Sequence, residues 1–286
     1  MKILVLSDFH GKFPEKLERI AQSKEIDLII ALGDYAGIEE WRPYLNYCFK
    51  FWSRGKKPKK DIREFLGEKT FKKLLKDDDK AGRNILKKLD NLNKKTLFIF
   101  GNGDDRFYDY PFDDFFYATK TNATWVNKLK NLTDITYGKR EILQTYIIGF
   151  GGFMDASANY EKKPKTEDEK ERLKEMSLRN QMAEKKFLKI LKNTSKNRIF
   201  IFHYPPKGVF DKIKDIKNPY HGKSAGVDFF TSAIKKYEPK LVLCGHMHEY
   251  QGKKKLGKSL VVNPGPAFER KAAVIEWPSL KVKFIK

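Results

Sequence analysis

Cysteine is almost missing from this sequence: Cys48 and Cys244 are the two among 286 residues, too few for a disulfide framework. Cys244 ends an apolar run, where a free thiol behaves as a small hydrophobe, and this usage fits a reducing, cytoplasmic setting. No apolar run approaches the roughly 20 residues that span a bilayer, so a membrane protein is not expected. The opening stretch MKILVLSDFH is too short for a signal peptide, and Asp8 closes it without a small-residue cleavage site; a soluble chain is expected. Internal repeats and low-complexity linkers are lacking too, which favours one domain over residues 1–286.

Negative charge is in short supply. The balance of 59 basic against 37 acidic residues gives +22, a field able to draw in nucleic acid or other polyanions. Arginine, the commoner tool for bidentate phosphate and base contacts, accounts for only 11 of the 59. The lysine-rich surface is therefore read first as serving solubility, with nucleic acid kept as a second partner.

What is present is strongly patterned. Five short runs rich in Ile, Leu, Val and Phe read as buried parallel strands: Lys2 to Ser7, Asp27 to Leu32, Thr96 to Phe100, Arg198 to Phe202 and Lys240 to Cys244. Phe13 to Lys24 reads as a crossover helix with Pro14 near its start. A first insertion, about 38–95, carries apolar residues at helical spacing and fits three helices; its aromatic stripe from Trp41 to Trp52 reads as core packing, though an exposed copy would suit base stacking or a homo-oligomer contact. A second, about 155–197, is charged and holds a capping-box signature at Thr166 and Glu169 ahead of a helix running to about Leu191. Asp134 to Gly149 reads as a hairpin around Tyr137-Gly138-Lys139, and Leu260 to Val262 with Ala273 to Phe284 adds strands that imply a second sheet.

Each of the five runs ends in groups that bind cations: Asp8-Phe9-His10, Gly33-Asp34, Gly101-Asn102, His203, and Gly245-His246-Met247-His248. Ligands of open α/β sheets sit beyond the carboxyl ends of the strands, so five separate segments would meet in one crevice. Singly, each has a plain explanation, as a helix N-cap or a structural histidine. Four of the five histidines falling just past strand ends is hard to explain that way. Imidazole and oxygen donors without thiolate suit Mn, Fe, Zn or Co better than Mg or Ca. Two such cations roughly 3.5–4 Å apart need a shared carboxylate, for which Asp34 is the natural choice.

The ordered set D-x-H, G-D, G-N-x-D, H and G-H-x-H, spread over residues 8 to 248, resembles the calcineurin-like metallophosphoesterases. The resemblance implies an α/β fold of two facing sheets flanked by helices. It implies one divalent cation on Asp8, His10, Asp34 and His248, and a second on Asp34, Asn102, His203 and His246, with Mn favoured. A hydroxide bridging the two would attack the phosphorus of a phosphodiester or nucleotide-like small-molecule ester, with Asn102 orienting the phosphate. Within the same superfamily the basic charge admits a nuclease as an alternative, and a catalytically silent scaffold is the non-enzyme alternative. The stretch from Val261 to Pro266 resembles a turn of bacterial and archaeal phosphodiesterases, but is read here as a plain rigid turn.

One departure stands out. Where many relatives carry G-N-H-D or G-N-H-E, whose His protonates the leaving oxygen, this chain has Gly101-Asn102-Gly103-Asp104, and general acid catalysis is worth about 10²- to 10⁴-fold. His221 is the candidate replacement as a catalytic residue, against a plain surface histidine. Arg106 is a candidate phosphate contact, against simple pairing with Asp105 or Asp109.

Overall fold

The protein is seen here as a computed structural model that describes residues 1–52, 54, 56–107, 124–156, 164, 166–216 and 218–286. Two six-stranded sheets face each other. The first contains β1 (Lys2–Leu6), β2 (Leu28–Ala31), β3 (Thr96–Phe98), β4 (Leu132–Asp134), β11 (Ala272–Glu276) and β12 (Lys281–Ile285), in the order β12-β11-β1-β2-β3-β4. The second contains β5 (Tyr137–Ile142), β6 (Thr145–Phe150), β7 (Arg198–Phe202), β8 (Leu241–Leu243), β9 (Gly252–Leu256) and β10 (Ser259–Asn263), in the order β5-β6-β7-β8-β10-β9. The five runs expected to be strands are strands, but they divide three to two between the sheets, with β7 and β8 in the second.

Burial on both faces explains why those runs are continuously apolar. Ile3, Val5, Leu28 and Ile30 of the first sheet meet Ile147, Ile199, Ile201, Leu241 and Leu243 of the second in the layer between them. The alternate residues Leu4, Leu6 and Ile29 pack outward against Leu17 and Ala21 of α1 (Glu15–Gln22) and Ile85, Leu86 and Leu89 of α4 (Glu68–Asn91). On the other flank Phe200 and Phe202 meet Phe187 of α5 (Glu167–Leu191) and Phe229 and Phe230 of α6 (Asp228–Tyr237). Phe202 and Phe230 stack 3.9 Å apart and nearly parallel. The result is the helix–sheet–sheet–helix sandwich that the resemblance implies, and among the described residues no helix is long and apolar enough to cross a membrane.

Among its described residues the first insertion folds as three α-helices, α2 (Arg42–Trp52), α3 (Ile62–Leu66) and α4, after a 3₁₀ turn at Glu39–Trp41. Its aromatic stripe departs from expectation: Cys48 is the one buried residue of α2, and Leu45 and Trp52 are exposed. Tyr44 and Tyr47 pack on Phe65 of α3 instead, so the stripe builds a peripheral cluster rather than joining the main core. In the second insertion Thr166 caps α5 by accepting the Glu169 N–H. The hairpin also shifts. Gly138 pairs with Gly149 inside the β5–β6 ladder, and the turn falls at Leu143-Gln144, both in the left-handed region. Leu132–Asp134 belongs to the first sheet.

Candidate metal centre

The carboxyl ends of β1, β2 and β3 in one sheet and of β7 and β8 in the other open onto the same edge. There the chain turns sharply. Asp8, His10, Asp34 and His246 all have positive φ, at 55°, 44°, 56° and 65°, and a non-glycine residue held so costs on the order of 1–3 kcal/mol. A backbone network holds these turns: Asp8 donates to the Gly33 carbonyl, Phe9 and His10 both donate to the Asp34 carbonyl, and the His246 N–H reaches the Asp8 carboxylate at 3.1 Å. The glycines of the motifs have a steric cause. A Cβ on Gly101 would lie 2.2 Å from Asp34 Oδ1, and one on Gly245 would lie 1.8 Å from Ser7 Oγ.

Two groups of donors result, sharing one carboxylate. Asp8, His10, Asp34 and His248 each offer an atom, all within 4.8 Å of one another, and Asp34, His203 and His246 do the same. Asp34 Oδ2 faces His10 Nε2 at 3.6 Å, while Oδ1 faces His203 Nε2 at 3.4 Å and accepts the Gly103 N–H at 2.7 Å. Asn102 joins the second group through its Oδ1, 2.9 Å from His203 Nε2. His248 Nε2 lies 3.3 Å from Asp8 Oδ1 and 3.1 Å from His10 Nε2. All seven residues expected as ligands are thus gathered at one edge.

The chemistry of this set fits cations. His10 Nδ1 donates to the Gly37 carbonyl at 2.7 Å and His203 Nδ1 to the Leu32 carbonyl at 2.8 Å, so in each neutral ring Nε2 carries the lone pair. At His203 that lone pair points at the oxygens of Asn102 and Asp34, an arrangement that needs positive charge between the partners. A proton fills the role when no cation is bound: burial opposes the charged ring, but Asp34 and Asp8 outweigh it and raise His203 to about 9. The carboxylates respond in kind. Burial works against Asp34, yet His203, His10 and the Gly103 N–H hold it well below the carboxylate range. Asp8 is lowered despite burial, chiefly by His248. Burial and the His203 charge press His246 down to about 3, leaving a neutral imidazole. Burial pushes the Cys244 thiol far up, and the thiol plays no part in either group.

Other residues of the site carried weaker signals. Asp104, the last position of G-N-x-D, is fully buried and accepts the backbone N–H groups of Asp34, Gly101 and Ala36 at 2.8, 2.8 and 2.9 Å, tying the second strand end to the third. Burial and the charge of Asp34 push its pKa up to about 8. Tyr204 stacks on His246, and Phe268 stands edge-on to His10 and His248 at 5.5 and 5.3 Å. The turn at Asn263–Pro266 does more than stiffen the chain, since Ala267 and Phe268 just beyond it donate to the carbonyls of Ser7 and Asp8.

The two weaker candidates stand apart. His221 is exposed, in a turn where its N–H donates to Asn218, and among the described residues its ring makes no hydrogen bond or ion pair. The neighbouring Tyr220 ring touches Phe49 of the first insertion at 6.3 Å. Arg106 falls in a 3₁₀ segment, Asn102–Phe107, and its side chain lies outside the described residues.

Comparison with known proteins gives the family and the fold. The family model for metallophosphoesterases of the calcineurin superfamily matches residues 1–286, and the chain belongs to that family. No curated protein matches it. One solved structure superposes with a TM-score of 0.60 at 20% identity, covering 99% of this chain and 97% of its own. The protein TT1561 of Thermus thermophilus gives 0.51 at 17% identity, with 99% and 97% covered. Phosphopantetheinyl hydrolase from Mycobacterium tuberculosis gives 0.50 at 11% identity, with 99% and 95% covered. At these identities the likeness is one of fold.

Proposed function

We propose that this chain works as a single domain that hydrolyses a phosphodiester or a nucleotide-like phosphate ester at a pair of divalent cations. Asp8, His10, Asp34 and His248 would hold one cation, and Asp34, Asn102, His203 and His246 the other, with Mn favoured over Fe, Zn or Co. The observation that carries this reading is Asp34, whose two oxygens address different histidines, Oδ2 toward His10 and Oδ1 toward His203. When bound, such a pair acidifies water and neutralises phosphoryl oxygens.

The chain's own groups do the rest. Because Asn102 Oδ1 is turned to His203, its NH₂ is left to donate to a phosphate oxygen and fix the ester in line. The Nδ1 bonds of His10 and His203 to backbone carbonyls keep both rings aimed before substrate arrives. Gly103 contributes no proton donor, so esters with good leaving groups, such as aryl diesters, are the expected substrates. His221 is the proposed donor for poorer ones, and Arg106 a proposed phosphate contact. The buried free thiols Cys48 and Cys244 suit the cytoplasm, and the charge of +22 keeps nucleic acid among the substrates to be tried.

The test is metal analysis of the purified protein together with rates on aryl phosphomonoesters, aryl phosphodiesters, cyclic nucleotides and single-stranded DNA with added Mn. Turnover of diesters with two bound cations per chain is expected. No turnover on any substrate would point to a silent scaffold, and a preference for DNA that collapses with salt to a nuclease.

A further inference from the structure

His10 is aimed through the Gly37 carbonyl, and the segment that carries this carbonyl is itself held by a helix that flanks the first sheet. Asp78, in α4 of the first insertion, is 2% exposed. Its Oδ1 accepts the N–H of Gly37 at 2.8 Å and the N–H of Ile38 at 2.9 Å. A carboxylate oxygen that takes two backbone donors in a buried setting fixes both of them in direction. The same helix also packs on the turn that follows His10: a Cβ on Gly11 would come within 3.1 Å of both Ala81 Cβ and Ile38 Cγ2. A chain of contacts therefore runs from helix to peptide to imidazole, namely Asp78 carboxylate, the Ile38 N–H and Gly37 carbonyl of one peptide unit, and His10 Nδ1.

We propose that Asp78 is a positioning residue for the cation held by Asp8, His10, Asp34 and His248, acting through the Gly37 peptide to fix the tautomer and aim of His10. The first insertion is then part of the metal centre rather than an ornament on it. The proposal rests on the cation pair proposed above, and it distinguishes the two positions. His203, in the other group, is fixed by Leu32 of β2's own exit, with no part for α4. Loss of Asp78 leaves the Gly37 and Ile38 N–H groups without their carboxylate, frees the peptide to rotate, and lets the His10 proton move to Nε2, where it blocks the ligating lone pair.

The experiment compares the full-length wild-type chain with Asp78→Ala and Asp78→Asn. In metal-free protein, ¹⁵N-histidine NMR reads the His10 tautomer; titration calorimetry with MnCl₂ then reads both sites. Wild type should show a single Nδ1–H tautomer. Asp78→Ala should show a mixture, one Mn bound as in wild type, and the other weakened by about 10- to 100-fold, the usual effect of removing an outer hydrogen-bond partner. Asp78→Asn keeps an oxygen that accepts both N–H groups and should stay close to wild type. An unchanged tautomer with two unchanged Mn affinities in Asp78→Ala overturns the proposal. If Asp78→Ala does not fold, Asp78→Ser, whose hydroxyl falls short of both N–H groups, is read in the same way. Should wild type itself bind fewer than two Mn, the cation pair is wrong, while the tautomer comparison still decides whether Asp78 governs His10.

Discussion

The ring of Tyr204 lies on the ring of His246, 3.9 Å between centroids and 29° between planes. His246 is pressed down to about 3 by burial and by His203, so it is a neutral imidazole whose plane the tyrosine sets. Replacing Tyr204 by Ala should weaken the cation held with His203 by about 10- to 100-fold, leaving the His10 side unaffected. Phe at this position keeps the stack and should lose much less. Equilibrium dialysis against Mn separates these outcomes, and equal loss at both sites would show that the stack does not act locally.

Gly101 stands where any Cβ would invade the shared carboxylate. Gly101→Ala should destabilise the fold by about 1–3 kcal/mol, the ordinary cost of overpacking, and should also displace Asp34 and His203. Thermal melts and metal stoichiometry measured together test it; a variant with wild-type melting and two bound Mn would mean the strand ends yield more easily than the geometry says.

Acidity provides a third check. In metal-free protein Asp34 and Asp8 raise His203 to about 9 against burial, from 6.5 for a free ring. A raised pKa means the folded state holds the proton more tightly than the unfolded one, so this contribution is complete below about pH 6.5 and disappears as pH climbs through about 9. Melting temperatures in EDTA should fall across that window. Saturating Mn should flatten the decline, because the cation takes the same nitrogen lone pair, and Mn affinity should rise over the same range as the competing proton leaves. A metal-free melting temperature that climbs from pH 6.5 to 9 would contradict the assignment.

His221 is tested by choice of leaving group. If it protonates the departing oxygen, His221→Ala should lower turnover of alkyl esters by about 10²-fold or more and leave aryl esters nearly unchanged, with Mn binding unaltered. Rates for both ester types that match wild type from pH 5 to 9 would remove it from the mechanism.

The gathering of the seven candidate ligands was legible in the sequence because each follows an apolar run that both sheets bury, and a strand end is where such a run meets the first polar group. The division of strands between sheets was not legible, for the same reason. Thr96–Phe98 and Leu241–Leu243 are buried on both faces and carry no period that would say which sheet they join. The hairpin misled through Gly138, a turn signal that instead sits in a ladder opposite Gly149, while the real turn uses Leu143 and Gln144 at φ 48° and 56° without glycine. Asp78 escaped notice because its work is done on backbone N–H groups about 40 positions away, and Asp104, though visible in G-N-x-D, gave no sign that it ties Gly101 to Asp34 and Ala36 about 70 positions upstream.

The bond from the His246 N–H to the Asp8 carboxylate spans 238 positions of chain. Asp8, His10 and Asp34 come from the first two strand ends, whereas His246 and His248 follow β8, and both sheets gain their last strands later still, β9 and β10 in one and β11 and β12 in the other. A chain that ends before Gly245 therefore lacks a donor at each of the two proposed cation positions, His248 in one group and His246 in the other.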